Sequence, residues 1–143
     1  MNGPQMTIVG NVGGTPKLRS LVDGTFVTSF SVAMTPSRYD KTTEAWVDQE
    51  TLWFRVTCWR ALAEHVVMSF HTGDRVIVTG TFSTRTWTDK DGAERVSNEI
   101  DASSVGMDLT RGPVTQRRFE RVNADPVTGE VIPEQQAAEQ VAA

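Results

Sequence analysis

Only one stretch of this 143-residue chain repeats apolar residues at helical spacing, and it interrupts a series of alternating segments. Leu62, Val66 and Phe70 recur every four positions with Ala63 and Val67 beside them. That spacing predicts a helix over about 61–71 with one face laid on a sheet. A glycine just past a helix end commonly closes it, so Gly73-Asp74 is the expected stop. Ahead of the helix, period-two alternation marks strands at about 6–12, 26–34 and 50–59, with a short extended piece at 17–22. Beyond it, strands are expected at about 75–87 and 94–102.

The alternation also assigns inward faces. Phe26, Thr28, Phe30, Val32 and Met34 share one parity, as do Leu52, Phe54, Val56 and Cys58. Val76, Val78 and Phe82 form a third set, and Val96, Ile100 and Ala102 a fourth. Gly80, inside a long strand, marks a bulge or bend where a small barrel turns a corner. Pro36 ends the strand before it, and the polar residues 37–49 read as a long loop or projecting hairpin. Asp91-Gly92 is the turn of a second hairpin. Past Leu109 periodicity stops, so the expected organisation is a domain at 1–110 and a largely disordered tail at 111–143, with at most a short helix near 134–142. Five strands with a helix between the third and fourth is the order of an all-β OB-fold, a five-stranded Greek-key barrel.

Composition narrows function mostly by exclusion. A net charge of −4 is not the footprint of a basic nucleic-acid binder, and neither part supplies one: residues 1–112 hold 11 Lys/Arg against 13 Asp/Glu, and 113–143 hold 3 against 5. No metal-ligand spacing, phosphate-cradling loop or nucleophile motif is present, and His65 and His71 read as an exposed helix residue and a helix end. No enzyme, metal or cofactor is therefore expected. Cys58 is the lone cysteine and sits on a core face; with no apolar run of membrane length and no leader-like start, a cytoplasmic, nucleoid-associated protein is expected.

What does stand out is "TLWFRVTCWR" at 51–60. Its core parity is apolar, yet the other face carries Trp53, Arg55, Thr57 and Trp59. Trp87, two residues from Arg85, lies on the non-core parity of the next long strand, and Tyr39 and Trp46 sit in the polar 37–49 segment. Rings on the wrong side of strands can cover a second cluster or a subunit interface. They can equally form a stacking platform for unpaired bases, which tolerates any sequence because every base has a π-face. Arginines beside the rings would meet phosphates or stack themselves.

At this point several stretches together resemble the DNA-binding domain of the bacterial single-stranded DNA-binding protein family. They are "IVGNVGGTPKLR" at 8–19, "FSVA" at 30–33, "TLWFRVTCWRALAE" at 51–64, "GDRVIVTGTFSTRTWTDKDG" at 73–92 and "ID" at 100–101, in the family's order and spacing. The resemblance implies an OB-fold that assembles as a homotetramer and binds single-stranded DNA in replication, recombination and repair. It implies base stacking at Trp53, Trp59 and Trp87 and a DNA contact at Arg55. An aromatic position of the family falls near Arg38 and Tyr39. Arg85, Arg60, Lys17, Arg19, Lys41 and Lys90 complete the expected backbone contacts, Arg55 and Arg85 foremost.

Two departures go with the resemblance. Phe54 stands where the family often has a polar residue, and the chain ends Glu139-Gln-Val-Ala-Ala143 with no acidic cluster. It therefore reads as a short-tailed paralogue, in which docking of replication and repair proteins on an acidic tip is not expected. The alternative reading is an OB-fold protein-interaction accessory of the replication or recombination machinery.

Overall fold

The computed structural model describes residues 2–118, together with the backbone of Val122–Ala124 and Val131–Pro133. In chain order the elements are β1 (Gln5–Val12), β2 (Arg19–Ser20), β3 (Phe26–Met34), β4 (Ser37–Asp40), β5 (Ala45–Asp48), β6 (Leu52–Trp59), α1 (Ala61–Ser69), β7 (Arg75–Thr88) and β8 (Glu94–Met107). The main sheet runs β1-β7-β8-β6-β3-β2, and β1 also pairs with β3 through Asn11↔Ala33 and Val12↔Val32. That last pairing closes the sheet on itself. Strands β6 and β8 run parallel and the other pairs antiparallel, which is the Greek-key closure of an OB-fold. The segment 37–49 forms the separate two-stranded sheet β4–β5, a hairpin as its sequence allowed.

The interior follows from alternation. Ile8 and Val12 of β1, Phe30 and Val32 of β3, Phe54, Val56 and Cys58 of β6, Val76 and Val78 of β7 and Ile100 of β8 all point in and are buried. Each of the larger ones contributes roughly 1.5–3 kcal/mol by leaving water. Ala63 and Val66 of α1, with Phe70 just past its end, cap this core, and α1 packs across β3, β6 and β8.

The chain enters α1 through Arg60, whose φ of 57° makes the sharp strand-to-helix turn while its N–H donates to the Phe26 carbonyl at 2.8 Å. The helix stops at Ser69, two residues short of the predicted end, because Phe70 is already extended (φ −112°, ψ 143°) and drives its ring into the core. Gly73 is not the helix stop. With φ 92° it turns the following loop, where its N–H donates to the Val12 carbonyl.

Three inward assignments fail for one reason. Leu52 is 40% exposed and Val96 63% exposed, although alternation placed both in the core. Pairing between β6 and β8 begins only at Phe54↔Asn98, so both side chains lie beyond the closed part of the barrel. Phe26 lies likewise just outside the β3–β6 ladder, which begins at Val27↔Trp59, and is partly exposed. The irregularity expected at Gly80 is present, but its extra residue lies on the partner strand β8. Thr79 pairs with Ser104 but Gly80 with Ala102, leaving Ser103 as the extra residue, and its hydroxyl donates to the Thr79 carbonyl at 3.1 Å. Strand β8 continues to Met107, five residues past its predicted end, because β7 offers it partners down to Val76.

A second unit begins at Pro113. Where the sequence predicted no regular structure, β9 (Val122–Ala124) pairs antiparallel with β10 (Val131–Pro133). The β-branched Val122, Val131 and Ile132 favour such pairing. The helix expected near 134–142 lies outside the described residues.

Candidate nucleic-acid interface

The side of β6 that faces away from the core carries Trp53, Arg55, Thr57 and Trp59, as its parity predicted. Its neighbours decide what that face can do. On one side β3 sets small residues against it, Ser31 opposite Arg55 and Ser29 opposite Thr57. On the other side β8 brings Glu99 beside Arg55 and Asp101 beside Thr57. Beyond β8, strand β7 presents Arg85 opposite Ser97 and Trp87 opposite Arg95. Small residues flanked by long ones make a trough. An open groove of about 410 Å³ runs along it, lined among others by Ser29, Ser31, Trp53, Arg55, Trp87 and Ser97. A second hollow of about 300 Å³ shares Arg55, Trp87 and Ser97 and adds Arg85 and Glu99. Trp53, Arg55, Arg85 and Trp87, from two strands distant in sequence, thus line two hollows that share Arg55, Trp87 and Ser97.

The rings in it are exposed, Trp53 by 56% and Trp87 by 45%, so the core does not account for them. The floor contributes hydroxyls, and the walls alternate aromatic with guanidinium, a surface suited to flat π-faces joined by anionic linkages.

Trp59 lies outside the groove. It sits six residues along β6 from Trp53, about 20 Å at strand rise. Its indole N–H donates to Asp101 Oδ1 at 3.1 Å, while the ring stays 40% exposed. Arg19 of β2 pairs with Val27 of β3, which in turn pairs with Trp59, so Arg19 and Trp59 share one row of the sheet. Lys17 is exposed just before β2, and its carbonyl accepts from Thr28. Arg60 is exposed at the strand–helix junction, and its charge helps hold the Asp23 carboxyl below the usual range, behind hydrogen bonds from Thr25.

The remaining predicted residues occupy the two hairpins. Tyr39 pairs across β4–β5 with Trp46, ring centroids 5.7 Å apart and edge-on at 66°. Trp46, which the sequence reading left outside the site, is 70% exposed and extends that aromatic patch. Lys41 lies in the turn of the same hairpin and Lys90 in the β7–β8 turn. There Arg95 grips Asp89 at 2.8 Å, and this bond, with the Ala93 N–H, keeps the Asp89 carboxyl below its ordinary value. Ser29, Ser31 and Ser97 line the groove without any sequence signal, since hydroxyls on a strand face are unremarkable until the register places them beside rings.

Beneath the face, burial and then the Asp101 carboxylate push the Cys58 thiol up to about 12, so it stays neutral at ordinary pH. Among the described residues no cluster of three or more His, Cys, Asp or Glu could hold a metal ion. Nor, among them, is any helix long and apolar enough to cross a membrane.

The closed barrel with its helix between the third and fourth barrel strands makes the chain an OB-fold protein. Residues 4–108 match the Single-strand binding protein family, and the chain belongs to that family. A "Single-stranded DNA-binding protein" of Paenarthrobacter aurescens is 35% identical over 118 residues, covering 82% of this chain and 69% of the relative. One from Mycobacterium tuberculosis (strain ATCC 25618 / H37Rv) is 39% identical over 104 residues, 73% of this chain and 63% of the relative. The crystal structure of a small single-stranded DNA-binding protein from Streptomyces coelicolor superposes with a TM-score of 0.70 at 39% identity, over 78% of this chain and 100% of that one. The chain spans 52% to 69% of the length of these and similar curated relatives.

Proposed function

We propose that this chain binds single-stranded DNA with little sequence preference, and protects it in replication, recombination and repair. The observation that carries this reading is the pair of hollows, sharing Arg55 and Trp87, that bring exposed Trp53 and Trp87 together with Arg55 and Arg85. Stacked bases contribute ~1–3 kcal/mol each on such rings, whichever base is present. Arg55 and Arg85 meet the phosphates between them. Trp59 and Arg19 continue the path along β6, with Lys17 and Arg60 near that end. Tyr39 and Lys41 on the β4–β5 hairpin and Lys90 on the β7–β8 turn flank it. The overall charge of −4 does not oppose this mode, because stacking supplies affinity that a purely basic surface would take from charge.

Family membership supports assembly of the chain as a homotetramer in a bacterial cytoplasm, acting without catalysis or cofactor. Titration with oligo-dT, followed by tryptophan fluorescence, tests the binding. Stacking predicts strong saturable quenching, and no quenching at micromolar strand sinks the reading in favour of a protein-interaction module. Light scattering with and without the strand reads the oligomer, and a monomeric mass sinks the tetramer.

A further inference from the structure

Trp53 rests against a residue with no side chain. A Cβ built on Gly13 would lie 2.8 Å from Trp53 Cζ3, 3.5 Å from its Cη2 and 2.8 Å from Ser31 Oγ. A real Cβ essentially never comes within 3.0 Å of another non-bonded heavy atom, so any larger residue at 13 must displace the indole, the serine or its own backbone. The backbone is the least free of the three. The Gly13 N–H donates to the Ser31 carbonyl at 2.8 Å, and next to it Val12 exchanges hydrogen bonds with Asp74 and Gly73 at 2.9 and 2.7 Å. Nor does conformation require glycine here. Among the described residues the glycines in the left-handed region are 24, 73 and 92, and Gly13 is not among them. What Gly13 supplies is an absence of atoms under the ring. Gly14, its neighbour, meets nothing within 4 Å and also has no positive φ, so it offers a built-in control.

We propose that Gly13 is a positioning residue for strand binding: the bare Cα at the β1–β3 closure seats the Trp53 indole and fixes the plane it offers to a base. The inference rests on the reading of Trp53 as a stacking ring. A ring held from below has less freedom to lose on binding, which favours affinity before any new contact is made. It also links the barrel's closure to its binding face, since the peptide that closes β1 onto β3 is the one beneath the ring.

The test uses the full chain, oligo-dT titration and thermal unfolding, with Gly13→Ala, Gly14→Ala, Trp53→Ala, Trp53→Phe and Gly13→Ala/Trp53→Phe. Gly13→Ala should weaken binding by about 5- to 160-fold, the range for losing one stacked base, while Gly14→Ala binds as the parent does. Against Trp53→Phe, whose smaller ring does not reach the added methyl, Gly13→Ala should cost little further. In protein labelled with 5-fluorotryptophan, Gly13→Ala should shift the Trp53 resonance and leave the other three in place. Parent-like binding by Gly13→Ala, an equal penalty in both backgrounds, or an unmoved Trp53 resonance overturns the proposal. Should Gly13→Ala not fold, the double variant should, because it relieves the indole contact and leaves only the Ser31 hydroxyl, which can rotate away; if both fail to fold, the seat is not the reason glycine is there. Unchanged affinity in Trp53→Ala defeats the stacking reading itself, whereas weakened Trp53→Ala with parent-like Gly13→Ala defeats only the seat.

Discussion

Trp59 shows how two demands meet on one side chain. Its N–H is tied to Asp101 while much of its ring remains open to solvent, so it is oriented without being buried. Trp59→Ala should therefore weaken oligo-dT binding by ~1–3 kcal/mol and keep the barrel's thermal transition. Parent-like binding combined with a lost transition would instead make Trp59 a structural residue. Parity along β6 was enough to turn Trp53, Arg55 and Trp59 outward and Phe54, Val56 and Cys58 inward. It could not reveal Asp101 as the partner of Trp59, because that pairing depends on the parallel β6–β8 register, which is set by tertiary closure and not by local pattern. Asp108 carries a pH prediction. Backbone and side-chain hydrogen bonds from Thr110, then Arg75 at 3.0 Å, hold its carboxyl below 3.8 in the fold. A depressed folded value stabilises above the unfolded pKa and is lost as pH falls through the folded one. Asp108→Asn should thus lower the melting temperature at pH 7, and the difference from the parent should shrink as pH drops below 3.8. A difference independent of pH contradicts this.

Among the elements, the β7–β8 hairpin bears most directly on the site, because it carries Arg85 and Trp87 to within reach of β6. Its bend depends on Gly80, where an added Cβ would collide with the Asp101 carbonyl oxygen and press on the Ala102 backbone. Gly80→Ala should cost about 1–3 kcal/mol, as overpacking does, in a urea melt. A neutral result would mean the strands can separate there freely. Within the barrel, strand existence, the helix and the bulge were legible from period and glycine placement, whereas β9 and β10 were not. Ends were not: Leu52 and Val96 continue an apolar alternation past the point where the barrel has another strand to cover them. The helix end was misread because Phe70 fits a helical repeat and an extended core position equally well, and only packing chooses.

For the whole molecule, the excess of acid over base and the aromatic trough together set how binding responds to salt. Affinity should fall with rising salt as phosphate contacts release counterions, with a slope shallower than a purely basic binder's. A steep slope without tryptophan quenching would indicate charge-only binding. The groove was half legible from the sequence. Wrong-face aromatics marked Trp53 and Trp87, but that they share one groove, with Arg85 in the hollow that adjoins Trp87 and Trp59 in neither, follows from strand order β7-β8-β6. The most direct measurement is the affinity of Trp53→Ala/Trp87→Ala for oligo-dT, taken alongside its circular dichroism melt. Removal of two stacked bases predicts a loss of roughly 2–6 kcal/mol with the transition intact. Parent-like affinity in a folded double variant would contradict the claim that this trough is where the strand binds.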